Sequence, residues 1–486
     1  MKNLYKSLKL NTVFIKNQFN NDDTIRYRNF NNKGIDYLLL FIDGMSNNER
    51  INEDIIKAIL ENKKYVFKFN ILKKLKDKIL FANTIKELNT FEDIFSDLLY
   101  GNTILLIEGQ NKALSIDTKG FTLRAIQEPP NEKITKGPRE GFGENILTNL
   151  SLLRRKIQSP NLKLEFSAIG NITQTKICLA YVDGIVDKKV LKELKKRLKK
   201  IDIDSVLDTN YIMESIKDDK FSPFKTTGTF EKPDVVASKI LEGRVALFVD
   251  GTPIVMTVPY LFIENFMSGD DYYLNYYFAS FTRLIRIISF FLSISIPALF
   301  IAIITFHKEV LPSNLAISII GAREGIPCSS LMECILMIIT FEILGEAGNR
   351  SGIGASTALG IVGGIVVGQA AVEARLISAP MIIIVALSAI SELMIPMTKG
   401  ATIIFRFLFI ILSSVLGLYG FTIALLIMLV HLSGLESFGM SYMANVVYNS
   451  VQQFKDSFYR APWFKMLTRP TDMSKKTNRT NKNEQT

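Results

Sequence analysis

Apolar and polar positions divide this chain into unlike parts. From Leu284 to Phe306 it reads LIRIISFFLSISIPALFIAIITF, with Arg286 as the single charge. About 20 apolar residues in helical form cross a bilayer core, so this run predicts a membrane helix, and further apolar runs follow to about Gly434. Before Leu284 the apolar residues come in short runs broken by charges. After Gly434 the chain is polar and basic. The pattern predicts an α+β water-facing region of two tandem subdomains of like topology, followed by an α-helical transmembrane domain. The expected divisions are 1–135, a linker and hinge helix at 136–158, a second subdomain at 159–283, a polytopic helical domain at 284–434 and a basic tail at 435–486.

The tandem reading rests on an internal repeat. YLLLFIDGMSNNERINEDIIKAIL from Tyr37 and ICLAYVDGIVDKKVLKELKKRL from Ile177 each run strand, Asp-Gly turn, helix. A second pair follows, FEDIFSDLLYGNTILLIEGQNKALSID from Phe91 and KPDVVASKILEGRVALFVDGTPIVMTV from Lys232. Each reads as a helix stopped at Gly101 or Gly243, a strand, an acidic-Gly turn (Glu108-Gly109, Asp250-Gly251) and a returning strand. The Asp-Gly pairs are read as turn chemistry rather than as metal or phosphate ligands. Neither GxxxxGK[ST] nor GxGxxG follows a strand, so no nucleotide site is signalled.

Between the repeats, Gly137-Pro138 breaks the preceding segment, and a helix is predicted from near Glu144. Its acid sits in the first turn and Arg154-Arg155 in the last, which suits the helix dipole. Arg139 and Glu140, set between Pro138 and Gly141, read either as a solvated linker or as charges pairing across a subdomain or subunit interface.

In the apolar half, the segment from Glu309 carries Arg323-Glu324 and is too short to cross, so it reads as interfacial or re-entrant. The next segment carries Glu333, Glu342 and Glu346, the last two on one helix face. They read either as a hydrophilic lining or as the wet ends of a partial span; Glu392, on a later segment, is a fourth intramembrane acid. Gly352, Ser356, Gly360, Gly364 and Gly368 recur every four residues, a strip of small side chains that lets helices approach closely. It packs either within one subunit or between subunits. In the second case Ile361, Val362, Ile365 or Val366 face a pore that gates by dewetting. Leu376–Pro396 is a further span, and the run from Ala401 to Gly434 holds two, bending at Gly417 and Gly420. Four to six crossings are expected.

Charge gives the direction. The formal net charge is +11, and the basic tail from Lys455 to Lys482 predicts a cytoplasmic C-terminus. The N-terminus shows no signal-peptide core, so the first half is expected to be cytoplasmic too, making the number of crossings even. The three cysteines lack paired spacing, which fits a reducing compartment. The two histidines, His307 and His431, are read as interfacial polar residues. No nucleophile–histidine pairing and no metal motif is visible, so neither an enzyme nor a cofactor is expected, and no nucleic-acid partner.

Several longer motifs carry a resemblance: GPREGF from Gly137 with the helix ending Leu-Leu-Arg-Arg, then FSPF from Phe221, EKPD from Glu231, LEGRVALFVDGTP from Leu241, DDYY from Asp270, REGIP from Arg323, FEILGEAG from Phe341 and IVGGIVVGQAAV from Ile361. In this order, across roughly residues 24–450, they resemble the A subunit of GerA-type spore germinant receptors. Three places depart from that family's usual pattern: Gly345 stands where Arg is usual, Leu-Pro is missing after Arg350, and Glu392 lies in a segment usually uncharged. The resemblance implies an integral protein of the spore inner membrane. It implies partnership with a transporter-like B subunit, a lipoprotein C subunit and membrane lipid, and assembly into a ring, such as a pentamer, that conducts cations when germinant binds. A paralogous subunit acting with the dipicolinate channel, and a non-conducting scaffold, are the alternatives.

Overall fold

The computed structural model describes residues 2–62, 71–120, 132, 136–350, 368–444, 446, 455–470, 473–474 and 478–479. Two five-stranded antiparallel sheets fill the first half. The first runs β1 (Ile25–Asn32), β2 (Ile35–Ile42), β3 (Ile85–Leu88), β4 (Thr103–Ile107) and β5 (Ala113–Ile116) in the order β1-β2-β4-β5-β3. The second runs β6 (Leu162–Ile169), β7 (Thr175–Val182), β8 (Gly228–Phe230), β9 (Val245–Val249) and β10 (Val255–Val258) in the order β6-β7-β9-β10-β8. The two orders correspond strand for strand. Gly44, Gly109, Gly184 and Gly251 all have positive φ, the conformation their acidic-Gly turns require of a residue without Cβ.

Both faces of each sheet are covered, because successive strand residues point to opposite sides. In β2, Leu38, Leu40 and Ile42 pack with helices α1 (Leu8–Gln18) and α2 (Phe91–Leu99), while Tyr37 and Leu39 pack with Ile51, Ile55 and Ile59. In β7, Cys178, Ala180 and Val182 face helices α3 (Ile146–Lys156) and α5 (Pro233–Leu241), and Ile177, Leu179 and Tyr181 face α4 (Lys188–Leu198).

Helix α3 therefore differs from its expected role as a linker and hinge helix: Ile146, Leu150 and Leu153 belong to the core of the second sheet. It stands to β6 as α1 stands to β1, and the two helices are held by matching contacts. Asn11 pairs both ways with the backbone of Tyr5 (2.9 and 2.7 Å), and Asn149 does so with Gly143 (2.8 and 2.6 Å). The Glu108 carboxylate accepts from the Leu8 amide at 2.8 Å, and the Asp250 carboxylate accepts from the Ile146 amide at 3.1 Å. The Gly109 amide donates to Lys6 O and the Gly251 amide to Glu144 O. The expected first-turn acid is thus corrected: α3 carries none. Glu144 precedes the Asn145 cap, and Asp250 brings the negative charge to the helix start from a distant turn. Losing a capping oxygen costs about 1 kcal/mol, so Glu108→Ala and Asp250→Ala are each expected to lower unfolding stability by about that amount in urea titration.

The second half is helical: α6 (Tyr276–Phe306), α7 (Ser313–Ala322), α8 (Ser330–Arg350), α9 (Ala379–Leu393), α10 (Lys399–Leu416) and α11 (Leu418–Gly434). Among the described residues, two stretches are long and apolar enough to cross a bilayer, Tyr276–Phe306 and Pro396–Leu416. One core continues from Phe224, Tyr260 and Phe262 beside the second sheet into α6, α9, α10 and α11. At the bend Gly417 takes φ 60°, and a Cβ on Gly420 would lie 1.9 Å from the Leu412 carbonyl oxygen. The segment after Gly434 does not stand apart as a tail. Glu436–Ser437 and Met440–Ser441 form a two-stranded hairpin, with Phe438 in the second sheet's core and Tyr442 buried against Phe262.

Candidate functional site: buried charges at the junction and among the apolar helices

The short segment between α1 and β1 joins the two sheets. The Asp23 amide donates to Leu164 O at 2.9 Å and the Phe166 amide to the Asp23 carboxylate at 2.8 Å, so this segment adds to edge strand β6. Lys163 Nζ donates to Gln18 O at 2.9 Å and to Pro160 O at 3.0 Å. At the centre Arg154, 1% exposed, holds Asp22 at 2.5 Å, and both side chains are buried. Asp22 also accepts from the Thr24 amide and hydroxyl, while Arg154 Nε and Nη1 find no hydrogen-bond partner among the described residues. Of the interface residues expected from sequence, Arg154 thus crosses between the subdomains. Glu140 turns inward on its own segment, to Arg155 at 3.4 Å and Lys156 at 3.2 Å. Gly137 takes φ 129°, and Pro138, Arg139 and Gly141 continue the same irregular stretch ahead of α3.

A second charged layer caps α6. Asp271 is bridged by Arg283 at 3.1 Å and Arg286 at 2.6 Å. Arg283, wholly buried, also donates to Asp456 Oδ1 (3.1 Å) and to the carbonyls of Asp456 and Ser457. Arg286, the lone charge of the first apolar run, is thereby neutralised outside that run. Beside it Glu264 is buried between Lys239 (2.5 Å) and Arg244 (2.7 Å). Burial alone would raise the Glu264 pKa; the two cations outweigh it and hold it below the usual value. Glu132 shows the opposite balance: burial pushes it up to about 7, partly offset by the Glu231 amide it accepts from at 3.1 Å.

Among the apolar helices the acids have specific partners. Pro297 lacks an amide hydrogen and so leaves the Ser293 carbonyl without its helical donor. Ser388 Oγ (2.7 Å) and Arg406 Nε (2.9 Å) fill that place. The Arg406 guanidinium also pairs with Glu392 and, at 3.4 Å, with Glu342, which Lys399 holds from its other oxygen at 3.3 Å. Glu333 is buried and bound by Arg323 at 3.0 Å and by the amide and hydroxyl of Ser378 at 3.0 and 2.8 Å. Glu346 lies apart from these contacts: it is 58% exposed and pairs with Arg350 on its own helix.

Gly368 is buried. Gly352, Ser356, Gly360 and Gly364, and the pore positions Ile361, Val362, Ile365 and Val366, lie outside the described residues. His431 meets Ser222 at 2.9 Å where α11 reaches the half that holds the two sheets. Sequence reasoning missed Asp22, Asp271, Arg323 and Lys399 as partners. Arg406 carried a usable signal, a lone cation in an apolar run, which has to find an anion.

Residues 13–472 match the family profile described as Bacillus/Clostridium GerA spore germination protein. The chain is 41% identical to spore germination protein KA of Bacillus subtilis over 440 residues, 90% of this chain and 80% of that protein. It is 32% identical to spore germination protein A1 of the same organism, over 91% of each. It is 36% identical to the uncharacterized membrane protein YfkQ of Bacillus subtilis, over 93% of this chain and 88% of that one. A similar solved structure is the N-terminal domain of the A subunit of the Bacillus megaterium spore germinant receptor GerK3, 33% identical, TM-score 0.44, covering 54% of this chain and 98% of that one.

Proposed function

The chain belongs to the GerA spore germination family, and on that premise we propose that it is the A subunit of a nutrient germinant receptor in the spore inner membrane. In this reading it works with a transporter-like B subunit and a lipoprotein C subunit. The paired sheets and the C-terminal segment lie on the spore-core side, and the apolar helices cross the bilayer an even number of times. Copies assemble into a ring, and germinant shifts a closed–open equilibrium by no more than its differential affinity for the two states.

The observation that carries this reading is the extent of the family match, which runs through the sheets and the apolar helices alike. The paired charges support it: an ionisable side chain is tolerated in hydrocarbon where it faces protein or water and is paired, as Arg406, Glu392 and Glu342 are. The strip Gly352, Ser356, Gly360, Gly364 and Gly368 is assigned to subunit packing, and Ile361, Val362, Ile365 and Val366 to the pore.

The test is potassium leakage from vegetative cells that express the chain with its B and C partners. Val362→Ala or Ile365→Ala is expected to open a leak without germinant, because a smaller apolar residue widens a dewetted constriction. Complexes that assemble with either variant and stay tight would overturn the pore assignment.

A further inference from the structure

We infer that the water-facing half carries a site for acidic phospholipid headgroups, in the lysine-lined cavity between α4 and the segment that joins the two sheets. The cavity holds about 740 Å³. Along α4 and just beyond it, Lys188, Lys192, Lys195, Lys196, Lys199 and Lys200 line it, with Asn21, Tyr181 and the one acid Asp183 completing the polar lining. Lys195 is taken by Glu165 at 2.5 Å and Lys196 rests against Glu193 at 3.7 Å. Lys188, Lys192, Lys199 and Lys200 are exposed and have no carboxylate partner among the described residues.

The fold does not require this charge. The corresponding helical segment of the first repeat also begins after a capping residue, Asn47 where the second has Asp187. Over Asn48–Leu60 it has two basic residues, Arg50 and Lys57, against three acids, Glu49, Glu53 and Asp54. Residues 188–200 hold eight Lys or Arg against the one acid Glu193. Two helices that cover equivalent sheet faces thus differ most in charge, and the excess faces a cavity.

Position favours a lipid as the anion's source. This step rests on the membrane reading above. Arg197, on the same helix, lies over the Phe438 ring at 4.5 Å and pairs with Asp218 at 2.6 Å, whose carboxylate also accepts from the Phe438 amide at 2.9 Å. Phe438 is four residues past Gly434, the end of α11, which is at most about 14 Å of extended chain. The last turn of α4 is therefore tied to the chain as it leaves an apolar helix. Clustered lysines at that level attract anionic headgroups, and the attraction fades over a Debye length of about 8–10 Å.

The test is a lysine footprint of the full chain in nanodiscs, read by mass spectrometry after a neutral acylating reagent. Three samples are compared: phosphatidylcholine alone, phosphatidylcholine with phosphatidylglycerol, and phosphatidylcholine with inorganic phosphate in solution. Lys188, Lys192, Lys199 and Lys200 are expected to acylate about fivefold more slowly with phosphatidylglycerol only. Lys189, exposed on the same helix but outside the cavity, should keep its rate. Protection by inorganic phosphate without phosphatidylglycerol would replace the lipid with a soluble phosphate. Equal rates in all three samples, with the chain present in the discs, would remove the site and leave the membrane reading standing. Failure of the chain to enter discs would overturn both. The triple variant Lys192→Gln, Lys199→Gln, Lys200→Gln keeps the helix and should abolish the phosphatidylglycerol-dependent protection of Lys188.

Discussion

Arg154→Ala is expected to lower the unfolding free energy by about 3–5 kcal/mol, the cost of leaving one member of a buried ion pair without the other. Asp22 keeps its hydrogen bonds from Thr24, but they do not neutralise a carboxylate whose side chain is fully buried. The pair also joins parts of the chain far apart in sequence, since Asp22 precedes β1 and Arg154 sits on the helix that opens the second sheet. The effect should therefore appear as the two sheets separating at lower urea, not as fraying of one. The compensated double variant Asp22→Asn with Arg154→Met keeps an acceptor for Thr24 and removes both charges. It should recover most of the loss, because replacing a buried pair by neutral groups is often close to neutral. A double-mutant cycle on the full chain in detergent measures the coupling. A coupling near zero, with Arg154→Ala within 1 kcal/mol of the wild type, would mean that water already screens the junction.

How far the sequence discloses this molecule follows from the range of each interaction. The acidic-Gly turns were legible because a turn is a local event, fixed by neighbouring residues. The strand–turn–helix repeat was legible for the same reason. The role of α3 was not: its tie to Asp250 spans 104 positions, and no local pattern tells a linker helix from one that opens a sheet. The reciprocal pairs Asn11–Tyr5 and Asn149–Gly143 span six residues each, and aligning the two repeats from their first helices would have exposed them. Among the apolar helices the acids were named from sequence but their partners were not. The spacing of Glu342 and Glu346 gives one helix face, yet which of them meets Arg406 depends on where α10 crosses α8.

Arg406→Leu is expected to have an effect as large as that at the junction, and by the same physics in a drier place. Arg406 does three things: it neutralises Glu392, shares Glu342 with Lys399, and donates to the Ser293 carbonyl that Pro297 leaves open. Removing it leaves Glu392 buried and unpaired, at about 3–5 kcal/mol, while Ser388 still serves the Ser293 carbonyl. Glu342 should suffer less, since Lys399 remains. The order of damage is thus Arg406→Leu above Glu392→Gln above Lys399→Gln, read as thermal stability and as the monodisperse fraction in detergent. Arg406→Leu combined with Glu392→Leu should fold again, because no uncompensated charge remains beside an apolar core. If Arg406→Leu melts with the wild type, water reaches Glu392 and this part of the bundle is an aqueous lining. If instead the double variant folds and its spores no longer answer to germinant, the charge pair serves the response as well as the packing.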